Sequence, residues 1–245
     1  MNKMILVLSV LLIALAACET RVIMEQPGAQ QSNTLNVNGM TEFDVAPDLA
    51  KIRFSIQTQS MTAQAAQQSN REVSNNVHNA LTQAGIRSNE IETADYRIER
   101  IQEWDENLRR TVDRGYRAYN TFVVSTKNLD DVGNLLDVGV QAGATNVESI
   151  SFELSDAKQK EVKTEALRKA SMNAREKAEA LAEGAGVRLG KVSNIQEQSY
   201  YVTPFYRGDV MMAKAEGMGA EMPPTPISPQ DVKVSAQVSV TYEIG

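Results

Sequence analysis

The chain is poor in the residues on which most metal and redox chemistry depends. Its 245 residues hold one Cys, one His and one Trp. A single Cys excludes an intrachain disulfide, and one Cys with one His cannot furnish a Cys/His zinc site. A basic excess is missing too: 25 Lys and Arg stand against 31 Asp and Glu, a net charge of −6. That balance argues against nucleic acid as a partner, because phosphates call for a basic face. Long apolar runs are scarce, and the only sustained one, Met4–Ala17, lies at the start. As a helix it would span roughly 21 Å, short of the roughly 30 Å hydrocarbon core. What remains is 42% hydrophobic and 23% charged, which suits a globular body of one or two domains.

The apolar run follows a short positive start, Met1–Lys3, and reads as the h-region of a secretory signal. It ends in Leu15-Ala16-Ala17-Cys18, which resembles the bacterial lipoprotein box. By that resemblance Ala17 closes a signal peptide of residues 1–17, and Cys18 becomes the lipidated first residue of the mature chain. The only Cys sits at the one position the motif needs, and a bare exported thiol would be an oxidation liability. Several acyl chains at about 0.8 kcal/mol per buried methylene anchor a protein stably. Glu19 stands where, by resemblance to enterobacterial sorting, Asp would retain the protein in the inner membrane. The expected location is therefore the periplasmic side of the outer membrane. Residues 18–33 are mostly polar around Pro27-Gly28 and read as a tether reaching at most about 50 Å.

Residues 34–245 read as the folded body. Ala50, Ile52, Phe54 and Ile56 alternate with Lys51, Arg53, Ser55 and Gln57, the pattern of a half-buried strand over 49–59. Thr34–Val45 is its partner, across Ala46-Pro47-Asp48. A helical stripe follows over 61–84 and stops at Gly85; strands are predicted over 91–104 and 112–126. Helix 129–142 links these to a strand at 147–154 and a long helix at 157–185. That helix has the stripe Val162, Ala166, Ala170, Ala174, Ala178, Leu181, and Met172 is placed on it as packed. Strands at 192–198 and 232–243 close the chain. The last alternates without a break through Val232, Val234, Ala236, Val238, Val240 and Tyr242.

Two βαββ units emerge, within 34–128 and 144–245 and joined by helix 129–142. The stretch 49–154 alone could instead close as a ferredoxin-like plait. Either way the fold class is α+β, a two-layer sandwich of mostly antiparallel sheet with helices on one face.

The blocks VNGMTEFDVAPDLAKIRFSIQTQ (37–59), YRAYNTFVVSTKNLDDVGNLLDVGVQAGATNVESISFELSD (116–156), AREKAEALAEGAGVRLGKV (174–192) and VKVSAQVSVTYEI (232–244) resemble the SIMPL domain family. The resemblance spans 35–244. It implies an exported, non-enzymatic α+β protein of the bacterial envelope, some relatives being described as oxidative-stress defence proteins. It offers no catalytic, cofactor or metal residues. The lipoprotein box departs from the plain signal peptide of many members, which alters anchoring and not fold.

Other motifs have plain readings. Gly184-Ala185-Gly186 with Gly190 imitates a dinucleotide fingerprint, but a helix precedes it and a strand follows, the reverse of what phosphate binding needs. It is a helix end. His78 has neither a second His nor a free Cys to work with, so a solvated surface position is expected. Residues 199–230 carry five Pro with Tyr200, Tyr201, Phe205 and Tyr206, then Met211, Met212, Met218 and Met222. They read as a flexible insertion. Their aromatics suit docking on a neighbour, and their thioethers suit Cu(I) or sacrificial oxidation.

Two functions stay in view. The first is a lipid-anchored binding or structural module with an envelope partner or self-association. The second is a carboxylate-dependent periplasmic hydrolase, for which no acidic pair stands out.

Overall fold

A computed structural model describes residues 33–208 and 225–245. Ala17, Cys18, the tether to residue 32 and Met211, Met212, Met218 and Met222 lie outside the described residues.

Among the described residues the elements run β1 (Thr34–Val45), β2 (Leu49–Ser60), α1 (Ala63–Gln83), β3 (Ile91–Asp105), β4 (Arg110–Thr126), α2 (Val132–Gln141) and β5 (Asn146–Glu153). Then follow α3 (Asp156–Ala185), β6 (Leu189–Thr203), β7 (Phe205–Gly208) and β8 (Val232–Ile244). They form two antiparallel sheets, in the orders β3-β4-β2-β5-β7 and β1-β8-β6. The fold is α+β, as expected.

Local chemistry explains the boundaries. The Thr62 hydroxyl accepts from the Ala65 N–H at 3.2 Å and starts α1. Gly85, at φ +100°, ends the turn that follows it. Ser155 caps α3, and Gly186 in the left-handed region stops it, so the Gly184–Gly186 segment is a helix end.

The five-stranded sheet encloses the first core. Ala50, Ile52, Phe54 and Ile56 face Val77 and Leu81 of α1 and Leu135 and Leu136 of α2, all buried. Phe54 stacks on Phe122 with centroids 5.6 Å apart. The order β3-β4-β2-β5 is that of the ferredoxin-like plait, so 49–154 closes on itself. The two-unit reading grouped the fifth strand with the long helix; instead β5 pairs with β2, Ile150 opposite Ile52. Helix α2 packs on this sheet and is more than a link.

The second core is built from small residues. Val162, Ala166, Ala170, Ala174, Ala178 and Ala182 of α3 lie on Val232, Val234, Ala236, Val238 and Val240 of β8 and on β1. A Cβ added at Gly39 of β1 would fall 2.0 Å from the Ala170 carbonyl oxygen, so helix and strand backbones approach closely here. Leu181, expected on the stripe, is 53% exposed. The buried row recurs strictly every four residues, and that spacing selects Ala182. Met172, expected to be packed, is 52% exposed for the same reason, two positions beyond Ala170.

The chain passes between the layers at β1–β2 and at β5–α3, and Asp48 joins the two crossings. Its carboxylate accepts the Ser155 N–H and hydroxyl, each at 2.6 Å. After Thr203 the chain crosses back, and β7 pairs with β5. Thus residues 199–208, read as the start of an insertion, extend β6 and add an edge strand. At the far end Thr225 donates to Asp137 from its N–H (3.1 Å) and hydroxyl (2.7 Å), and Ile227 packs on the first core.

Candidate functional site

The structure places His78 half-buried on α1, with its carbonyl taken by the Thr82 hydroxyl at 2.8 Å. Among the described residues no three His, Cys, Asp or Glu side chains gather as a metal site. No described helix is long and apolar enough to cross a membrane.

The best-formed polar surface lies on the side of the five-stranded sheet turned away from the helices. Strand alternation places it there: if Phe54 and Phe122 point inward, their neighbours Ser55 and Thr121 point outward. Ser55, Gln57, Arg97, Tyr119, Thr145, Asn146 and Glu148 line a recess of about 470 Å³. The Arg97 guanidinium stands 4.2 Å above the Tyr119 ring and also pairs with Asp95. Arg117 donates to the Tyr119 hydroxyl at 3.1 Å, while its Nε is buried without a partner among the described residues. Thr145 fixes the floor, donating to the Ser55 carbonyl and accepting the Gln57 N–H, both at 2.9 Å.

Two carboxylates on this face have cations beside them. Lys51 holds Glu153 at 2.7 Å; Arg53 approaches Glu148 to 4.0 Å, and the Thr121 hydroxyl donates to it at 3.2 Å. Such an arrangement can recognise a polar partner by hydrogen bonds and by cation–π stacking. The Ser151 hydroxyl likewise donates to Glu153 at 2.8 Å, so hydroxyls and cations together hold both carboxylates.

The second layer differs in its edges and its titrating groups. The free edge of β1 is covered by α3: Asn173 accepts the Met40 N–H at 3.2 Å, and Lys177 donates to the Asn38 carbonyl at 2.9 Å. Helix α3 lies over β1 and β8, so Val192 and Ile195 of β6 are exposed. Burial pushes the Tyr200 hydroxyl pKa up, against the pull of the Lys163 ammonium 5.3 Å from its ring. Burial likewise raises the Asp48 pKa, but the hydrogen bonds from Ser155 and the charge of Lys127 outweigh it and hold the carboxyl below its usual range.

Several of these groups escaped the sequence reading. Asn70 is buried and donates to the carbonyls of Ile56 (3.0 Å) and Ala118 (3.2 Å), a bond that apolar periodicity does not register. The Asp48–Ser155 contact joins residues more than a hundred positions apart, although a Ser before a helical stripe is a readable cap signal.

Comparison with known proteins bears on the whole chain. The model of the SIMPL family, described as a protein of unknown function (DUF541), matches residues 35–242. The 26 kDa periplasmic immunogenic protein of Brucella melitensis is 29% identical over 221 residues, covering 87% of this chain and 86% of that one. The uncharacterized protein YggE of Edwardsiella ictaluri is 28% identical over 190 residues, covering 78% and 74%. YggE of Escherichia coli K12 is 26% identical over 214 residues, covering 84% and 81%. The match begins at the second residue of β1 and ends three short of the C-terminus, so it takes in both sheets and every described helix: the chain belongs to the SIMPL family.

Proposed function

We propose that this protein is a lipid-anchored, non-enzymatic binding or structural module of the bacterial cell envelope. It is held by Cys18 on the periplasmic side of the outer membrane and serves a stress-related role. The observation that carries the reading is Leu15-Ala16-Ala17-Cys18, placed directly after an apolar leader and containing the only Cys. Membership of the SIMPL family and the word periplasmic in the name of the Brucella relative support an exported location. In this reading residues 1–17 are removed, 18–33 are a lipidated tether, and the body from residue 34 works clear of the bilayer. The polar sheet face around Arg97 and Tyr119 supplies the recognition surface, with Glu153 held by Lys51 and Glu148 approached by Arg53.

Metabolic labelling with an alkyne fatty acid tests the anchor. The parent chain takes up label and fractionates with the outer membrane; Cys18→Ser loses both. A Cys18→Ser chain that is cleaved yet sediments with membrane as the parent does would refute lipidation. Turnover of any envelope substrate by the purified protein would refute the non-enzymatic reading.

A further inference from the structure

The β3–β4 hairpin outgrows its sheet. The last residue of β2, Ser60, lies opposite Tyr116, which lies opposite Arg100. Beyond that point five further residue pairs, from Ile101–Gly115 to Asp105–Arg110, continue as two strands alone. Gly115 still rests against Ser60 and Met61, and the Arg114 carbonyl accepts from the Gln59 amide at 3.2 Å, so the free part is the last four pairs, which at about 3.3 Å per residue project roughly 13 Å. The only Trp of the chain, Trp104, sits near the tip at 60% exposure, with Leu108 at 55%. Two-stranded ribbons are marginal by themselves, and this one is braced by Arg100–Asp113 (3.0 Å), Arg114–Glu103 (2.9 Å) and Arg114–Asp105 (3.7 Å).

The bracing pairs Glu103, Asp105 and Asp113 and leaves the apex one positive charge in excess. Asp105 also accepts the N–H groups of Asn107 and Leu108, both at 3.0 Å, which shapes the turn. Of the remaining charges, only Glu106 stands against Arg109 and Arg110, and none of the three has an ion-pair partner among the described residues. Arg109 is also the one non-glycine residue with positive φ among the described residues, at +49°. Glycine or asparagine would occupy that left-handed position more easily. An arginine kept where the backbone disfavours it points to a use for its side chain.

We infer that the arm tip is a bilayer-interface anchor: Trp104 and Leu108 enter the headgroup layer while Arg109 and Arg110 take phospholipid phosphates. An amphipathic indole beside an apolar residue and two arginines that exceed the one nearby free acid, Glu106, is the chemistry of a headgroup boundary. The chain as a whole carries a net charge of −6, so the apex differs from it in sign. This inference rests on the envelope-anchored reading, since a tether of about 50 Å keeps the weak tip contact at high local concentration.

The test uses residues 19–245, which contain every described strand and helix and no lipid. Vesicles of equal parts phosphatidylcholine and phosphatidylglycerol are added, and the fluorescence of the only Trp is followed. Emission should shift to shorter wavelength and be quenched by acyl-chain-brominated lipid. Arg109→Gly should weaken vesicle binding about fivefold, and Arg109→Gly with Arg110→Gln about 30-fold. Arg109→Gly should leave the melting temperature unchanged or higher, because glycine suits the position; a purely structural arginine would not separate the two readouts. No shift and no quenching would overturn the inference. So would a shift that appears with rising protein concentration and no lipid, which would assign the tip to a second copy. Failure of Cys18 labelling would leave this vesicle result untouched, and failure here would leave the labelling untouched.

Discussion

The two layers solve the same problem, a helix on an antiparallel sheet, by opposite means. In the five-stranded layer large side chains fill the space, with Phe54 stacked on Phe122 and Gly139 of α2 giving way beneath the Phe54 ring. In the three-stranded layer the space is abolished: an alanine row and Gly39 let α3 lie almost backbone to backbone on β1. The first core is therefore sensitive to removing atoms and the second to adding them, because interiors are packed close to crystal density. A short polar joint ties the crossings together: Asp48 accepts from Ser155 and donates its N–H to the Glu153 carbonyl at 3.2 Å.

Substitutions can break that contrast. Phe54→Ala should have the largest effect, about 3–5 kcal/mol in a denaturant titration, from lost burial and a cavity. Gly39→Ala should follow at about 1–3 kcal/mol, although it adds a single methyl, because that methyl meets the Ala170 carbonyl oxygen. If Gly39→Ala proved neutral, the closeness of α3 to β1 would not be what holds the second layer.

Asp48→Ala should cost about 1–2 kcal/mol at neutral pH, since it removes two charge-assisted hydrogen bonds and loosens the α3 cap. The folded pKa of Asp48 lies below its unfolded value. Its contribution is therefore fully present above the ordinary carboxylate range and fades as pH falls through the lowered folded value. Stability of the parent and of Asp48→Ala measured against pH should converge in acid; a constant gap would refute the role of the ionised carboxylate. Gly184→Ala, on an exposed turn of α3 with nothing within 4 Å, should instead stabilise by about 0.5–1 kcal/mol. Leu181→Gln should stay within about 0.5 kcal/mol, as exposed positions do, and so should Arg53→Ala, whose half-buried side chain has its nearest carboxylate 4.0 Å away.

Much of this contrast is legible in the sequence. The unbroken alternation of β8 and of Ala50–Ile56 names two buried faces, because a period of two leaves no choice of side. The alanine row of α3 is equally plain, except that hydrophobicity draws attention to Leu181 where four-residue spacing requires Ala182. Partner choice is not legible. Nothing local to Val147–Glu153 tells whether it joins β2 or β8, since both present alternating apolar faces; in the structure it joins β2. The continuation of β6 to Thr203 is hidden for another reason. Tyr200 and Val202 face inward there, but the neighbouring Pro204 makes the segment read as loop. The recess around Arg97 and Tyr119 is assembled from four separate strands and connections, so no contiguous motif announces it.

The claim that the molecule has two cores of different construction is tested most directly by amide hydrogen exchange on Gly39→Ala, read peptide by peptide by mass spectrometry. Peptides from β1, α3 and β8 should lose protection, while those from β2, α1 and β4 keep theirs, because the added methyl disturbs only the close-packed layer. Equal loss of protection in both sets would show one cooperative core and contradict the account.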